Sequence, residues 1–371
     1  VSGGDLVLAV AGSRKTQGII DACTAAPAGA RILVVTYTVT NQIELRRRLA
    51  QSNLAADVDV VGWFTFLLQN VLHPYLPFMF PGQQITGMDN ESPYQRGVSA
   101  EARNRYFTPT GLVRRVHLPH LAALLIERAR ELPLRRLEGA YDHIYIDEVQ
   151  DLTGHDLDLL EALLRCTVPL TMVGDVRQAV LSTNREERKH PQYKNMQIWH
   201  WFRLKERQGL LRITHREQTW RCHPAVALFA DSLFDGTWDF PATVSKNQHR
   251  TDHDGIFLVH TDHVHAYVQE FAPQPLRWDK RALKSHDHLD FLTFGNAKGL
   301  TRYRVLIVPT AKMRLLLQKG TPLEDLTAAK LYVGVTRAEQ SVAFVLDDPG
   351  NAAHPYWAPT DAAAEPVTGS E

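Results

Sequence analysis

Leu6-Val7-Leu8-Ala9-Val10-Ala11-Gly12-Ser13-Arg14-Lys15-Thr16 is the stretch on which the fold turns. Leu6 to Ala11 is a continuous apolar run that stops at Gly12, the pattern of a strand buried on both faces of a parallel sheet. Lys15 to Ala25 reads as the helix that follows it. A strand, a turn containing glycine and a helix opening on Lys-Thr form the context of a phosphate loop, where helix N-terminal N–H groups bind phosphate oxygens. Gly12, Ser13, Arg14, Lys15 and Thr16 are the residues of that loop. Lys15 is placed to neutralise the outer phosphates, and the Thr16 hydroxyl to reach Mg2+. The pattern G-x-x-x-x-G-K-[ST] asks for glycine where Ala9 and Arg14 stand. Arg14 therefore carries a Cβ through whatever backbone angles the turn demands.

The rhythm continues outward from this element. Arg31–Thr36 reads as a second strand and Asn41–Ala50 as a helix, with further strands at Val58–Gly62, Tyr141–Asp147 and Pro169–Gly174. Strands alternating with helices indicate βαβ units and a parallel sheet covered on both faces. Residues 73–119, rich in Pro, Gly, Tyr and Arg, interrupt the alternation and read as an insertion. A second α/β series follows, with strands at Leu210–Thr214, Gly255–His260, Leu289–Phe294, Arg304–Pro309 and Val342–Leu346, and helices at Pro224–Phe234 and Ala328–Thr336. The expectation is a first domain over 1–200 and a second over 201–349 with a reduced insertion at 235–288. From 350 to 371 the chain turns to Ala, Pro, Gly and Thr, a composition expected to be disordered.

The fourth strand ends in acid: His143-Ile144-Tyr145-Ile146-Asp147-Glu148-Val149-Gln150-Asp151. Open parallel sheets bind ligands at the carboxyl ends of their strands. Asp147 is suited to hold Mg2+ there, and Glu148 to orient and deprotonate an attacking water. A metal centre of the zinc type has less support. Seven histidines fall between His249 and His288, but no H-E-x-x-H or paired-cysteine pattern accompanies them.

Composition narrows the classes. The chain has 371 residues, 41 Lys plus Arg and 41 Asp plus Glu, so its formal charge is zero and it cannot bind nucleic acid through gross charge alone. Local basic clusters remain at Arg46–Arg48, Arg103 to Arg115, and Arg135–Arg136. Three cysteines, widely spaced, offer no disulfide framework and suit a reducing, cytoplasmic setting. No apolar run reaches membrane-spanning length, and the first residues lack a basic stretch of the signal-peptide type.

Taken in order, the motifs resemble those of the UvrD/Rep-like superfamily 1 DNA helicases, over about residues 6–346. Ala11–Thr16 is similar to the family's phosphate loop, and Asp147-Glu148-Val149-Gln150-Asp151 to its D-E-x-Q-D segment. Gly174-Asp175-Val176-Arg177-Gln178 resembles G-D-x-x-Q, which implies a γ-phosphate sensor at Gln178. Thr219-Trp220-Arg221-Cys222 resembles N-Y-R-S, which implies a phosphate-contacting Arg221. Leu331–Ala338 resembles L-Y-V-A-x-T-R-A, which implies an arginine finger at Arg337. Thr293–Leu300 resembles T-x-H-x-x-K-G-L and brings in Gly299 near the nucleotide. The resemblance further implies a single-stranded-DNA track along Thr36, Tyr37, Asn41, Trp63, Phe66, Thr293 and Asn296, with Trp63 and Phe66 as stacking rings.

What the resemblance implies is an α/β chain of two RecA-like P-loop domains with parallel sheets and short insertions. Its cofactors would be ATP and Mg2+, and its substrate single-stranded DNA or a single-strand/duplex junction, traversed 3′ to 5′. The shortness of both insertions is similar to helicase-like subunits of anti-phage nuclease systems, which implies a nuclease partner. A rival expectation is an ATP-gated, nucleic-acid-sensing regulatory subunit without productive unwinding.

Overall fold

The structure, a computed structural model, describes residues 3–184, 186–278 and 288–359. The chain forms two α/β units, each built on a six-stranded parallel sheet. The first unit comprises residues 1–9 and 14–215. Its strands are β1 (Gly4–Ala9), β2 (Arg31–Thr36), β3 (Asp57–Gly62), β4 (His143–Asp147), β5 (Leu170–Gly174) and β6 (Leu211–Arg216). They lie in the order β3-β2-β4-β5-β1-β6. Parallel pairing sets Val35 opposite Ile146 and Asp147 opposite Val173, so the acidic strand end comes level with the ends of its neighbours.

Alternation decides which side chains go where. Ile32 and Val34 point into the cluster formed with Ile19, Ile20 and Cys23 of the helix Lys15–Ala25, and with Leu45 and Leu49 of the helix Val39–Ala50. Leu33, Val35, Ile144 and Ile146 are buried as well, as strands covered on both faces require. Residues 73–119 stand outside this sheet. They hold a short parallel ribbon, Gly87–Asp89 with Leu112–Arg114, and a buried group around Tyr106, Phe107 and His117.

The second unit comprises residues 10–13 and 216–371. Its strands are β7 (Gly255–Val259), β8 (Gln274–Arg277), β9 (Leu292–Thr293), β10 (Arg302–Val308), β11 (Ala338–Val345) and β12 (Tyr356–Trp357), in the order β9-β8-β10-β11-β7-β12. One face packs Leu258, Val305, Ile307, Val342 and Phe344 against Val226, Leu331 and Tyr332. The other packs Leu306, Val308, Ala343 and Val345 against Val264 and Tyr267.

Three expectations change. The units divide between His215 and Arg216 and not at residue 200, because β6 adds to the edge of the first sheet. The stretch 235–288 is not a bare insertion: the helix Val264–Phe271 and β8 belong to the second core, while residues 279–287 lie outside the described ones. The stretch after 350 includes β12, which pairs with Leu258 and Val259, whereas residues 360–371 lie outside the described ones.

Candidate nucleotide site and nucleic-acid face

The phosphate-loop segment turns on two left-handed residues. Gly12 has φ 74° and Arg14 has φ 60°, so Arg14 adopts the conformation that glycine would adopt more easily. The Arg14 side chain is exposed, and its carbonyl accepts the Gly18 N–H at 3.1 Å, which starts the helix Lys15–Ala25. Lys15 and Thr16 thus occupy the first turn, where the helix carries unpaired N–H groups and partial positive charge.

At the end of β4, Asp147 is almost fully buried and Glu148 has φ 57°, a second non-glycine residue in the left-handed region. Strain of this kind gathers where a side chain must be aimed. The turn lets the Glu148 N–H donate to Asp147 Oδ1 at 2.9 Å. Lys15 Nζ lies 3.9 Å from Glu148 Oε1, and the Thr16 hydroxyl donates to Asp147 Oδ2 at 3.4 Å. Burial pushes the Asp147 carboxyl upward, and the Glu148 charge adds to this, while Lys15, the Glu148 N–H and Thr16 pull the other way. A carboxyl in that position gains from a cation.

The neighbouring strand end is tied in by Gln150. Its amide donates to Glu148 Oε2, and its carbonyl accepts the Asp175 N–H at 3.0 Å. Gly174 leaves room for this amide, since a Cβ there would lie 2.5 Å from Gln150 Oε1 and the Gln150 side chain would have to shift. Gln178 is buried, and its amide donates to Asp175 Oδ2 at 2.7 Å. Lys15, Thr16, Asp147, Glu148 and Gln178 are therefore gathered at one edge of the first sheet. Gln150 and Asp175 were not foreseen as contributors, although both stand inside the motifs D-E-x-Q-D and G-D-x-x-Q.

In the second unit, residues 10–13 pack with the segment that carries Arg221. The Thr219 hydroxyl donates to Ala11 O at 2.7 Å, the Trp220 N–H to Gly12 O at 3.1 Å, and the Ala11 N–H to the Tyr332 hydroxyl at 3.2 Å. Ser13 is buried, and its hydroxyl has no partner among the described residues. Arg221 donates to Thr336 O at 3.0 Å. Arg337, expected as an arginine finger, is buried within the second unit. It donates to Val333 O at 2.9 Å, Leu300 O at 3.3 Å and the Thr336 hydroxyl at 3.2 Å. Gly299 is exposed with φ 89°.

The expected stacking rings are corrected. Trp63 and Phe66 are 1% and 2% exposed, and neither ring offers a face to a base. The reason is helical spacing: within Trp63–Leu67 the residues at i, i+3 and i+4 face the core, and Phe64 and Thr65 face outward. Reading this stretch as a helix would have shown Phe64 to be the outward-facing ring. Its ring lies 6.2 Å from that of Tyr37 in an edge-on arrangement, with the Arg115 guanidinium 5.4 Å above it. Thr36 is likewise buried, its hydroxyl without a partner among the described residues, and its side chain is not open to a ligand.

The other expected contacts fall as follows. Asn41 is half-buried in the first helical turn, its N–H held by Thr38 Oγ1 at 3.2 Å. Thr293 is half-buried, and its hydroxyl accepts the N–H of exposed Asn296 at 3.4 Å. In the insertion, Arg114 pairs with Asp89 at 3.5 Å and Arg105 donates to the Tyr94 hydroxyl at 3.3 Å, so both cations have local partners. Among the described residues no cluster of three metal-binding side chains occurs, and no helix is long and apolar enough to cross a membrane.

No family model matches the chain. No curated protein matches it. Among solved structures it is similar to arterivirus nonstructural protein 10 (helicase), with 13% identity, a TM-score of 0.46, and coverage of 94% of this chain and 60% of that one. The complex of that helicase with DNA aligns at 14% identity and a TM-score of 0.44, over 94% of this chain and 61% of that one. The Pif1 helicase from Bacteroides in complex with ADP-AlF3 and ssDNA aligns at 12% identity and a TM-score of 0.39, over 94% of this chain and 90% of that one. The chain thus spans about three fifths of the length of the two arterivirus structures. These likenesses are distant, and the chemistry of the site rests on its own residues.

Proposed function

We propose that the chain is an ATP- and Mg2+-dependent translocase or helicase acting on single-stranded DNA or a single-strand/duplex junction. One observation carries the reading: a helix-opening Lys-Thr pair meets an Asp-Glu pair at a strand end, with Thr16 3.4 Å from Asp147 and Lys15 3.9 Å from Glu148. A buried Asp147 pushed toward its neutral form fits a divalent cation, and the helix N-terminus behind Gly12–Arg14 fits phosphate. Gly12 to Thr16 would hold the triphosphate, with Thr16 and Asp147 on the metal. MgATP, when bound, would supply the phosphoanhydride, with the Mg2+ offsetting part of its charge. Lys15 contributes a cation to the outer phosphates, and its approach to them releases Glu148 from their ion pair. Glu148 then orients a water and accepts its proton. Gln178, Arg221 and Arg337 are proposed as further phosphate-directed groups, and Gly299 as backbone near the nucleotide.

Tyr37, Phe64, Asn41, Thr293 and Asn296 are proposed as nucleic-acid contacts. Aromatic faces with an adjacent guanidinium accept any base. Movement 3′ to 5′, work in DNA repair, processing or defence, a cytoplasmic setting and a nuclease partner complete the proposal. They rest on the sequence resemblance.

A second reading, an ATP-gated nucleic-acid-sensing subunit without productive unwinding, is favoured by the burial of Trp63 and Phe66, which leaves fewer rings for bases. Displacement of a labelled strand from a junction separates the two readings. The test of the site itself is Glu148→Gln. ATP affinity is expected to stay, and turnover to fall by at least about 100-fold, a general-base contribution. Unchanged turnover would remove Glu148 from the chemistry.

A further inference from the structure

We propose that Asp156 is a positioning residue that links the nucleotide edge of the first unit to its nucleic-acid face, an inference that rests on the function proposed above. Asp156 lies in the first turn of the helix His155–Leu164 and is 0% exposed. A carboxylate so deeply buried persists only if its oxygens are filled by donors. Here the donors come from three separate segments. The Trp63 indole N–H reaches Oδ1 at 2.6 Å. The Thr153 N–H reaches Oδ2 at 3.2 Å, and the Thr183 hydroxyl reaches the same oxygen.

Each donor reports on a different part of the site. Thr153 closes the segment that begins with Asp147 and Glu148. Thr183 closes the segment that begins with Asp175 and Gln178, and its N–H donates to Asp151 O at 3.0 Å. Trp63 opens the short helix that turns Phe64 and Thr65 outward. Two further bonds widen the junction. The Thr153 and Ser182 hydroxyls lie 3.1 Å apart, and the Tyr37 hydroxyl donates to Ser182 O at 3.3 Å.

Of the proposed base-facing pair, Phe64 is thereby tied through one buried carboxylate, and Tyr37 through Ser182 beside it, to the loops that aim Glu148 and Gln178. Ligand on one side shifts the loops on the other, because a rigid, fully satisfied polar junction passes a displacement on instead of absorbing it. No part of this requires Asp156 to touch DNA or nucleotide. The indole of Trp63, unusable for stacking, finds its use here as a donor. Residue 156 carries no motif signal in the sequence. Its role comes from what the fold assembles around it.

The experiment uses the full-length chain, with ATP turnover measured over a titration of oligothymidylate. Asp156→Asn keeps the shape and replaces one acceptor oxygen by a donor. Basal turnover, KM for ATP and oligothymidylate affinity should stay within about twofold, whereas stimulation by the oligonucleotide falls about tenfold or more, the scale of a coupling free energy. Trp63→Phe keeps a ring in the core and removes only the indole N–H. It should lower the stimulation in the same sense, and it decides the matter if Asp156→Asn does not fold. Wild-type stimulation in a folded variant overturns the inference, as does a fall in basal turnover with an unchanged stimulation ratio. A wild-type chain that hydrolyses no ATP overturns the proposed function and this inference with it. That outcome is distinct from a responsive wild type with an equally responsive variant.

Discussion

Replacing Arg14 with glycine should stabilise the protein while sparing its activity. Arg14 has φ 60° and ψ 40°, so its Cβ stands in the left-handed region, at a cost of about 1 kcal/mol or somewhat more. The side chain is exposed, and the Gly18 N–H bond to the residue 14 carbonyl is unaffected by the change. Glycine gives part of the gain back through a freer unfolded chain, leaving a net stabilisation of about 0.5–1 kcal/mol. With a urea slope of about 2–3 kcal/mol per molar, the midpoint should rise by about 0.3 M, followed by far-UV circular dichroism. ATP turnover should stay within a few fold of wild type. A lower midpoint would refute the strain argument. Robust turnover appearing only in Arg14→Gly would show that the natural loop is a degenerate scaffold.

Three other outcomes follow from the same structure. Gly12→Ala places a Cβ 2.5 Å from Arg221 Cβ and 2.6 Å from Thr219 Oγ1 at φ 74°, so the loop must move; ATP binding by calorimetry should fall sharply. Arg337→Ala leaves the carbonyls of Val333 and Leu300 short of a donor inside the second unit, costing about 1–3 kcal/mol in thermal denaturation as well as turnover; unchanged stability would contradict the observed burial. His117 and His120 are pushed down to about 4 and about 3, chiefly by burial, from an ordinary 6.5. Their folded values lie below the unfolded ones, so their contribution is full above pH 6.5 and is lost as pH falls toward 4. Hydrogen exchange in peptides covering Arg103–Arg128, corrected for its intrinsic pH dependence, should lose protection over that window, and flat protection would refute the assignment.

Much of the fold was legible because parallel strands are short apolar runs. Arg31–Thr36 was read with its observed ends, and β4 and β5 within two residues of theirs. What failed had less periodicity to offer. β8 contains Pro275 and only four residues, and β12 only two, so neither rises above its surroundings in sequence. β6 was read as a strand, but its sheet is decided by which edge stands open, and composition does not record that. The proposed nucleotide edge was legible residue by residue, because Lys15, Thr16, Asp147, Glu148 and Gln178 sit in contiguous motifs. The proposed nucleic-acid face was not. Choosing Phe64 over Trp63 and Phe66 required knowing that the five residues after β3 are helical. Asp156 lay beyond any local pattern, since its partners come from positions 63, 153 and 183.

The Lys-Thr helix start and the Asp-Glu strand end are proposed to form a nucleotide hydrolysis site that answers to single-stranded DNA. The most direct measurement is steady-state ATP hydrolysis by the full-length chain with Mg2+, with and without oligothymidylate, beside Lys15→Ala. Turnover should rise about tenfold or more with oligonucleotide and be abolished in Lys15→Ala, because the outer phosphates lose their main cation. Absence of hydrolysis in the wild type, or hydrolysis that survives in Lys15→Ala, would contradict it.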